Sequence, residues 1–183
     1  MFPKPWINID KNNLTPIMQP RCQFLHHDVL NGLPYPDNSV SLIYHSDILE
    51  HFSYHEAIVF LKECHRVLKP GGLMRVCVPD FYQIVEAYYQ SNMDRFNDVQ
   101  PKEYREVKSR AIKASMLLFG SIGSSQNAYQ GHQMMYDSDG LKEMLEMNGF
   151  VDVKMMPIDE SKSPLMCNKD VHRDMELIME CRK

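Results

Sequence analysis

The most constraining stretch of the sequence runs from Leu49 to Asp80, and within it RVLKPGG at Arg66 to Gly72. Ahead of that heptapeptide, Ser53 and Glu56 stand three residues apart, the spacing of a capping box. In that box a serine oxygen accepts from a free backbone N–H while the glutamate reaches back. Ala57, Leu61, Cys64 and Leu68, joined by Phe60 and Val67, follow at spacings of four and three, so one apolar stripe runs along a helix predicted from about Tyr54 to Leu68. Lys69 suits the negative end of the helix dipole. Pro70-Gly71-Gly72 is then expected to stop the helix and turn the chain directly into the apolar run Leu73 to Val78. A capped helix, a tight turn and a buried strand in succession require a fold in which helices pack against a sheet.

The rest of the chain extends that pattern. Short apolar runs at Trp6 to Ile9, Cys22 to His26 and Val40 to Tyr44 precede the helix. Strands that alternate with helices and Pro/Gly turns predict an α/β fold with a doubly wound, mostly parallel sheet and helices on both faces. From Phe81 to Gln133 the pattern becomes helical, in FYQIVEAYYQ and YREVKSRAIKASMLLF, and predicts a segment covering one end of the sheet. Asp137 is a predicted helix cap, followed by Leu141, Met144 and Leu145 on one face and a break at Asn148-Gly149. FVDVKMM alternates at period two and MELIMEC can return beside it, so an antiparallel pair is expected at the sheet edge. No repeat or linker interrupts the 183 residues, which read as one domain.

Composition narrows the function classes. With 44% hydrophobic and 24% charged residues, and no apolar run near the roughly 20 residues of a membrane span, the chain reads as a soluble domain. The N-terminus lacks a secretory pattern, and the expected compartment is the cytoplasm. A net charge of −4 disfavours nucleic acid as the main partner, and the mixed patch Pro101 to Lys113 reads as a solvated helix face. Five widely spaced cysteines read as reduced core thiols, and fourteen methionines as core filling. No metal site is expected from the adjacent pairs His26-His27 and Cys64-His65. Neighbouring strand residues face opposite sides, and neighbouring helix residues diverge by about 100°.

Taken together, WINID, DVLNGLPYPDNSVSLIYHSDILEHF, ECHRVLKPGGLMRVCVPDF and YDSDGLKEMLEMNGFVDV, in this order, resemble the small bacterial class I S-adenosylmethionine-dependent methyltransferases. The resemblance implies a Rossmann-like methyltransferase fold and S-adenosylmethionine as cofactor. It places Asp10 where the family's acidic residue accepts the ribose hydroxyls, and Asp28 where another accepts from the adenine amino group, with Val29 against the ring. Tyr44, His45, Ser46 and Asp47 would lie beneath the methionine part of the cofactor. Read on their own, Asp10 equally suits an ordinary turn and Asp28 a turn cap. A nicotinamide-dependent oxidoreductase would share the architecture but leaves LEHF and RVLKPGG without explanation.

One family element is missing: the glycine-rich loop after the first strand, which lets the cofactor's amino-acid end approach the backbone. With the ribose-binding acid at residue 10, that loop and its strand would precede Met1, and Gly120 to Gly123 follows a helical stretch rather than a strand. Loss of the central strand should leave two inner strand edges unpaired. The remaining strands could close directly, a second copy could fill the gap, or the chain could begin inside a longer protein. Methyl transfer to oxygen or nitrogen needs positioning and one base. The candidates are His45, His51, His132 and Tyr136, each of which also suits an ordinary core-edge role. The acceptor expected from the resemblance is a small molecule or an envelope precursor. The alternative is a non-catalytic methyltransferase-like subunit or a truncated fragment with impaired cofactor binding.

Overall fold

The computed structural model describes residues 3–14, 22–97, 100, 102–119, 131–170 and 175–183. Two sheets form. Strand β1, Ile7–Asp10, pairs in parallel with β2, Gln23–His26. Strands β3, Val40–Ser46, and β4, Leu68–Pro79, pair in parallel, and β4 continues antiparallel to β6, Glu176–Arg182, which in turn pairs with β5, Val151–Met155. The order of the larger sheet is therefore β3-β4-β6-β5. The expected antiparallel pair at the C-terminus is present, with β6 set inside the sheet and β5 at its edge. Direct closure of the remaining strands does not occur: among the described residues no ladder joins β1 or β2 to β3.

Helix α1, Tyr54–Val67, starts as its sequence requires. The Glu56 backbone N–H donates to Ser53 Oγ at 3.4 Å, and the Ser53 N–H donates to Glu56 Oε2 at 2.9 Å. Ala57, Phe60, Leu61, Cys64 and Val67 are buried and pack with Met74, Val76 and Val78 of β4 and with Leu141, Met144 and Leu145 of α5, Ser138–Met147. The helix ends earlier than the Pro-Gly-Gly signal suggested. Pro70 forbids helical geometry at Lys69 and would clash with the carbonyl four residues back, so Leu68 is already extended (φ −63°, ψ 138°). Residues Lys69 to Gly72 instead bulge from the β3–β4 ladder, where Val40 faces Leu68 but Leu42 faces Leu73. Gly71 turns the chain at φ +74°, and a Cβ on Gly72 would lie 2.9 Å from the Lys69 carbonyl oxygen. Arg66 binds Glu63, Asp37 and the carbonyls of Leu33 and Tyr35, which fastens the loop preceding β3 to α1.

The covering segment comprises α2, Phe81–Tyr89, a single turn at Met93–Phe96, α3, Lys102–Glu106, and α4, Arg110–Phe119. The stretch predicted as one helix from Tyr104 is broken at 107–109, where Ser109 Oγ accepts from the Ile112 N–H and starts α4 afresh. This segment has its own small core of Ile84, Ala87, Met93, Phe96, Tyr104 and Leu117. Lys113 in the basic stretch is buried rather than solvated, donating to Asn97 at 3.0 Å and lying 4.6 Å from the Tyr104 ring centre. Gly120 to Gly123 lies outside the described residues. Cys64, Cys77 and Cys181 are buried free thiols.

Candidate functional site

The carboxyl ends of β1, β2 and β3 surround one cleft that holds about 820 Å³ of empty space, part of it continuous with solvent. Ile9, Asp10 and Lys11 form one wall, His27 to Leu30 a second, and Asp47, Ile48, His51, Phe52 and Glu56 a third. Crevices outside the carboxyl ends of strands are where open α/β sheets bind ligands. Here the crevice also bridges the two sheets.

Asp10, Asp28 and Val29 therefore line one cleft. Both aspartates also fill their local roles: Asp10 Oδ1 accepts from the Asn12 backbone N–H at 2.7 Å, and Asp28 Oδ1 accepts from Leu30 N–H at 3.0 Å, capping the turn Val29–Asn31. The turn readings hold for both residues, which also line the cleft. Asp47 turns the chain out of β3 in the left-handed conformation, φ +54°, and accepts from Ser46 Oγ at 2.8 Å.

The other three residues assigned to the cofactor from β3 do not line the cleft. The Tyr44 hydroxyl donates to the Lys169 carbonyl at 3.0 Å, and Ser46 Oγ lies 3.1 Å from Glu176 Oε1, on the face shared with the buried Arg75. His45 points into the core, 5.2 Å from the Phe60 ring, with neither ring nitrogen hydrogen-bonded. Burial pushes its pKa down to about 4. That position corrects its assignment both as a cofactor contact and as a base: the ring is sealed from the cleft. The cause is the strand's alternation, which sends one set of side chains to the core and the other to the Arg75 face, so only the residue beyond the strand reaches the opening.

Beside the cleft, a second group forms where two distant segments are stitched together. The Gln133 and Met134 N–H groups donate to the Glu50 carbonyl at 2.8 and 3.1 Å, and Gln133 Nε2 donates to the His51 carbonyl at 2.8 Å. His51 and His132 are thereby brought edge to face, ring centres 5.0 Å apart. Burial, then the neighbouring His51, holds His132 below the usual histidine range, against hydrogen bonding of its ring to the Leu118 and Leu117 carbonyls. A neutral imidazole results, the form a base requires. Burial pushes Tyr136 up to about 12, with the Glu50 carboxyl adding to the shift, so its hydroxyl stays protonated at neutral pH.

Glu50 was missed in the sequence. It is 1% exposed, and burial followed by the charge of Asp47 raises its pKa to about 8. The signal lay in the triplet Leu49-Glu50-His51, which reads locally as a helix approach rather than as a buried acid. The adjacent pair His26-His27 diverges: His26 Nε2 bonds the Lys11 carbonyl and His27 Nε2 the Gly32 carbonyl.

A Methyltransferase domain family matches residues 6–76, the stretch that carries β1 to β3, most of β4 and all three cleft walls. A demethylmenaquinone methyltransferase of Geobacillus kaustophilus is 30% identical over 140 residues, 73% of this chain and 51% of that protein. The chain thus spans about half the length of the curated relatives it matches. Among solved structures, a SAM-dependent methyltransferase from Archaeoglobus fulgidus superposes with a TM-score of 0.57 at 15% identity, covering 97% of this chain and 75% of that one. A Burkholderia thailandensis 1,6-didemethyltoxoflavin-N1-methyltransferase solved with S-adenosylhomocysteine gives 0.52 at 14% identity, covering 97% and 60%. The fold is that of the Rossmann-like methyltransferases. The chain is thus similar to S-adenosylmethionine-dependent methyltransferases, in sequence over residues 6–76 and in fold across most of its length. No helix among the described residues is long and apolar enough to cross a membrane.

Proposed function

We propose that this chain binds S-adenosylmethionine in the cleft between its two sheets and transfers the methyl group to a small-molecule or envelope-precursor acceptor. The observation that carries this reading is the convergence of Asp10, Asp28 and Asp47, from three successive strand ends, on one cleft. Two carboxylates supply acceptors for ribose hydroxyls and for the adenine amino group, and Val29 offers an apolar edge for the ring. The acceptor would enter beside His51, where His132 is available to take a proton and Tyr136 to donate a hydrogen bond. Demethylmenaquinone, the acceptor in the name of the Geobacillus relative, belongs in the first panel of acceptors to assay.

Calorimetric titration with S-adenosylmethionine and S-adenosylhomocysteine tests the cofactor half of the reading. Micromolar binding that Asp10→Ala weakens about tenfold or more is the expected result, since one charge-assisted bidentate contact is lost. Absence of binding at millimolar ligand contradicts it.

A second reading has its own support. Because no ladder joins β1 to β3 among the described residues, the chain also suits a non-catalytic methyltransferase-like subunit whose gap is filled by a second copy or by a segment of a longer protein. Sedimentation analysis separates the two: a monomer that binds cofactor supports the first, a dimer that does not bind it supports the second.

A further inference from the structure

Glu50 is buried without a hydrogen-bond partner on either carboxylate oxygen. Protonation does not cure this, because a neutral carboxyl brings an O–H donor that would itself lack an acceptor. An orphaned buried polar group of this kind is strongly unfavourable unless something else occupies the site. His132 Nδ1 is likewise buried and unpartnered, while the Leu117 and Leu118 carbonyls act on the same ring. His51 Nε2 lies 3.8 Å from Glu50 Oε1. One ligand atom from each of Glu50, His51 and His132 falls within 4.8 Å of the others.

We infer that Glu50, His51 and His132 form a binding site for a first-row divalent metal ion such as Zn²⁺. Two imidazoles and one carboxylate are the donor set of open catalytic sites for such ions, whereas Mg²⁺ and Ca²⁺ favour oxygen ligands alone. Metal–ligand bonds of about 2.0–2.2 Å in tetrahedral geometry put donor atoms about 3.4 Å apart, so the three draw together by up to roughly 1.5 Å, within the reach of side-chain rotation. The cation answers both orphaned groups at once. It supplies the charge that a desolvated Glu50 lacks and the partner that His132 Nδ1 lacks. The Leu117 and Leu118 carbonyls beside the His132 ring would provide the outer contact that orients a ligating imidazole. The hydrogen bonds from Gln133 and Met134 to the Glu50 and His51 carbonyls hold the set together before any ion binds.

Three protein ligands leave a fourth position open, and His51 also lines the cofactor cleft. That position would take an oxygen of the methyl acceptor, a hydroxyl or phenol, and lower its pKa so that it gives its proton to solvent and attacks the sulfonium methyl as the oxyanion, with S-adenosylhomocysteine leaving; His132 would then serve as a ligand in place of its role as base. This last step rests on the methyl-transfer reading; metal binding itself does not.

The test uses the full chain, stripped with chelator and without S-adenosylmethionine, so that its outcome is independent of cofactor binding. Zn²⁺ titration by calorimetry should give a single equivalent bound in the micromolar range or tighter, and Co²⁺ should show visible d–d absorption that Zn²⁺ bleaches and millimolar Mg²⁺ does not. Glu50→Gln keeps the side-chain shape and removes the charge, so it should fold, checked by circular dichroism, yet bind Zn²⁺ at least about tenfold more weakly; His132→Ala should do the same. A rise in the unfolding temperature with Zn²⁺ should occur in the parent protein and be lost in both variants. Binding weaker than millimolar, or Zn²⁺ affinity unchanged by either substitution, overturns the inference and leaves the pocket as a hydrated polar cavity.

Discussion

The two sheets that frame the cleft differ in how they are held. The β3-β4-β6-β5 sheet is backed by α1 and α5, and residues Leu73 to Pro79 of β4 are all buried. The β1–β2 ribbon has two strands and no residue in the buried class. Two-stranded units are marginal alone, whereas a packed sheet carries most of a domain's stability. The cleft is thus built from one firm wall, Asp47 to Glu56, and one weakly supported wall, Asp10 and Asp28. A cofactor that contacts both would serve as their main connection, and its binding should be read mostly in the weaker wall.

The largest effect separating the two regions is expected at Arg75. This guanidinium is fully buried, bound to Asp170 at 2.5 and 3.0 Å and to Glu180 at 3.0 Å. Burial opposes both charges of the Arg75–Asp170 pair, but their pairing overrides it and holds Arg75 above and Asp170 below its usual range. Arg75→Ala leaves two buried carboxylates uncompensated, and urea unfolding should register a loss of about 3–5 kcal/mol. Ile9→Ala in the ribbon, by contrast, should lose less than about 2 kcal/mol because its side chain is only half-buried. Equal losses at the two sites would break the comparison.

His45 sharpens it through pH. Its folded pKa of about 4 lies below the unfolded value of 6.5, so the unfolded chain binds the extra proton. The stability contributed by keeping this ring neutral is fully present above about pH 6.5 and is lost as pH falls toward 4, on the order of 3 kcal/mol in total. His45→Leu should flatten that part of the stability profile while leaving cofactor binding unchanged, as measured by denaturation at pH 7 and pH 5. A variant as acid-sensitive as the parent contradicts the core placement.

Smaller still is Asp10→Asn. It retains the bond to the Asn12 N–H, so the unliganded protein should keep its unfolding temperature, while affinity for S-adenosylmethionine falls about tenfold by calorimetry. At the low end stands Lys142→Ala on α5, whose pairing with Glu146 is exposed and 3.9 Å long; the change in unfolding free energy should stay below about 0.5 kcal/mol.

Local signals in the sequence accounted for much of this architecture. The Ser53/Glu56 box, the Asp137 cap, whose Oδ1 accepts from Gly140 N–H at 2.8 Å, and the strand runs all act within a few residues, where capping and alternation are readable. Asp10, Asp28 and Asp47 were readable because they follow strands, and strand ends define the opening. Two things were not. Alternation along Val40 to Ser46 says that neighbours face opposite ways without saying which face meets the cleft, and the assignments of Tyr44, His45 and Ser46 failed on that point. The meeting of Glu50 with His132 depends on backbone hydrogen bonds between segments far apart in the chain, and neither segment carries a local mark of the other. The same holds for Lys113, whose burial follows from Asn97 and Tyr104 rather than from its own helix.

The central claim is that the cofactor joins the weak wall to the firm one, and amide hydrogen exchange with and without S-adenosylmethionine tests it most directly. The prediction is that amides of Ile7–Asp10, Gln23–His26 and the turn Val29–Asn31 exchange fast in the free protein and slow markedly on addition of cofactor, while those of β4 and β6 stay protected in both states. Protection that appears only outside the ribbon and its turn, or no change at saturating S-adenosylmethionine, would contradict the account.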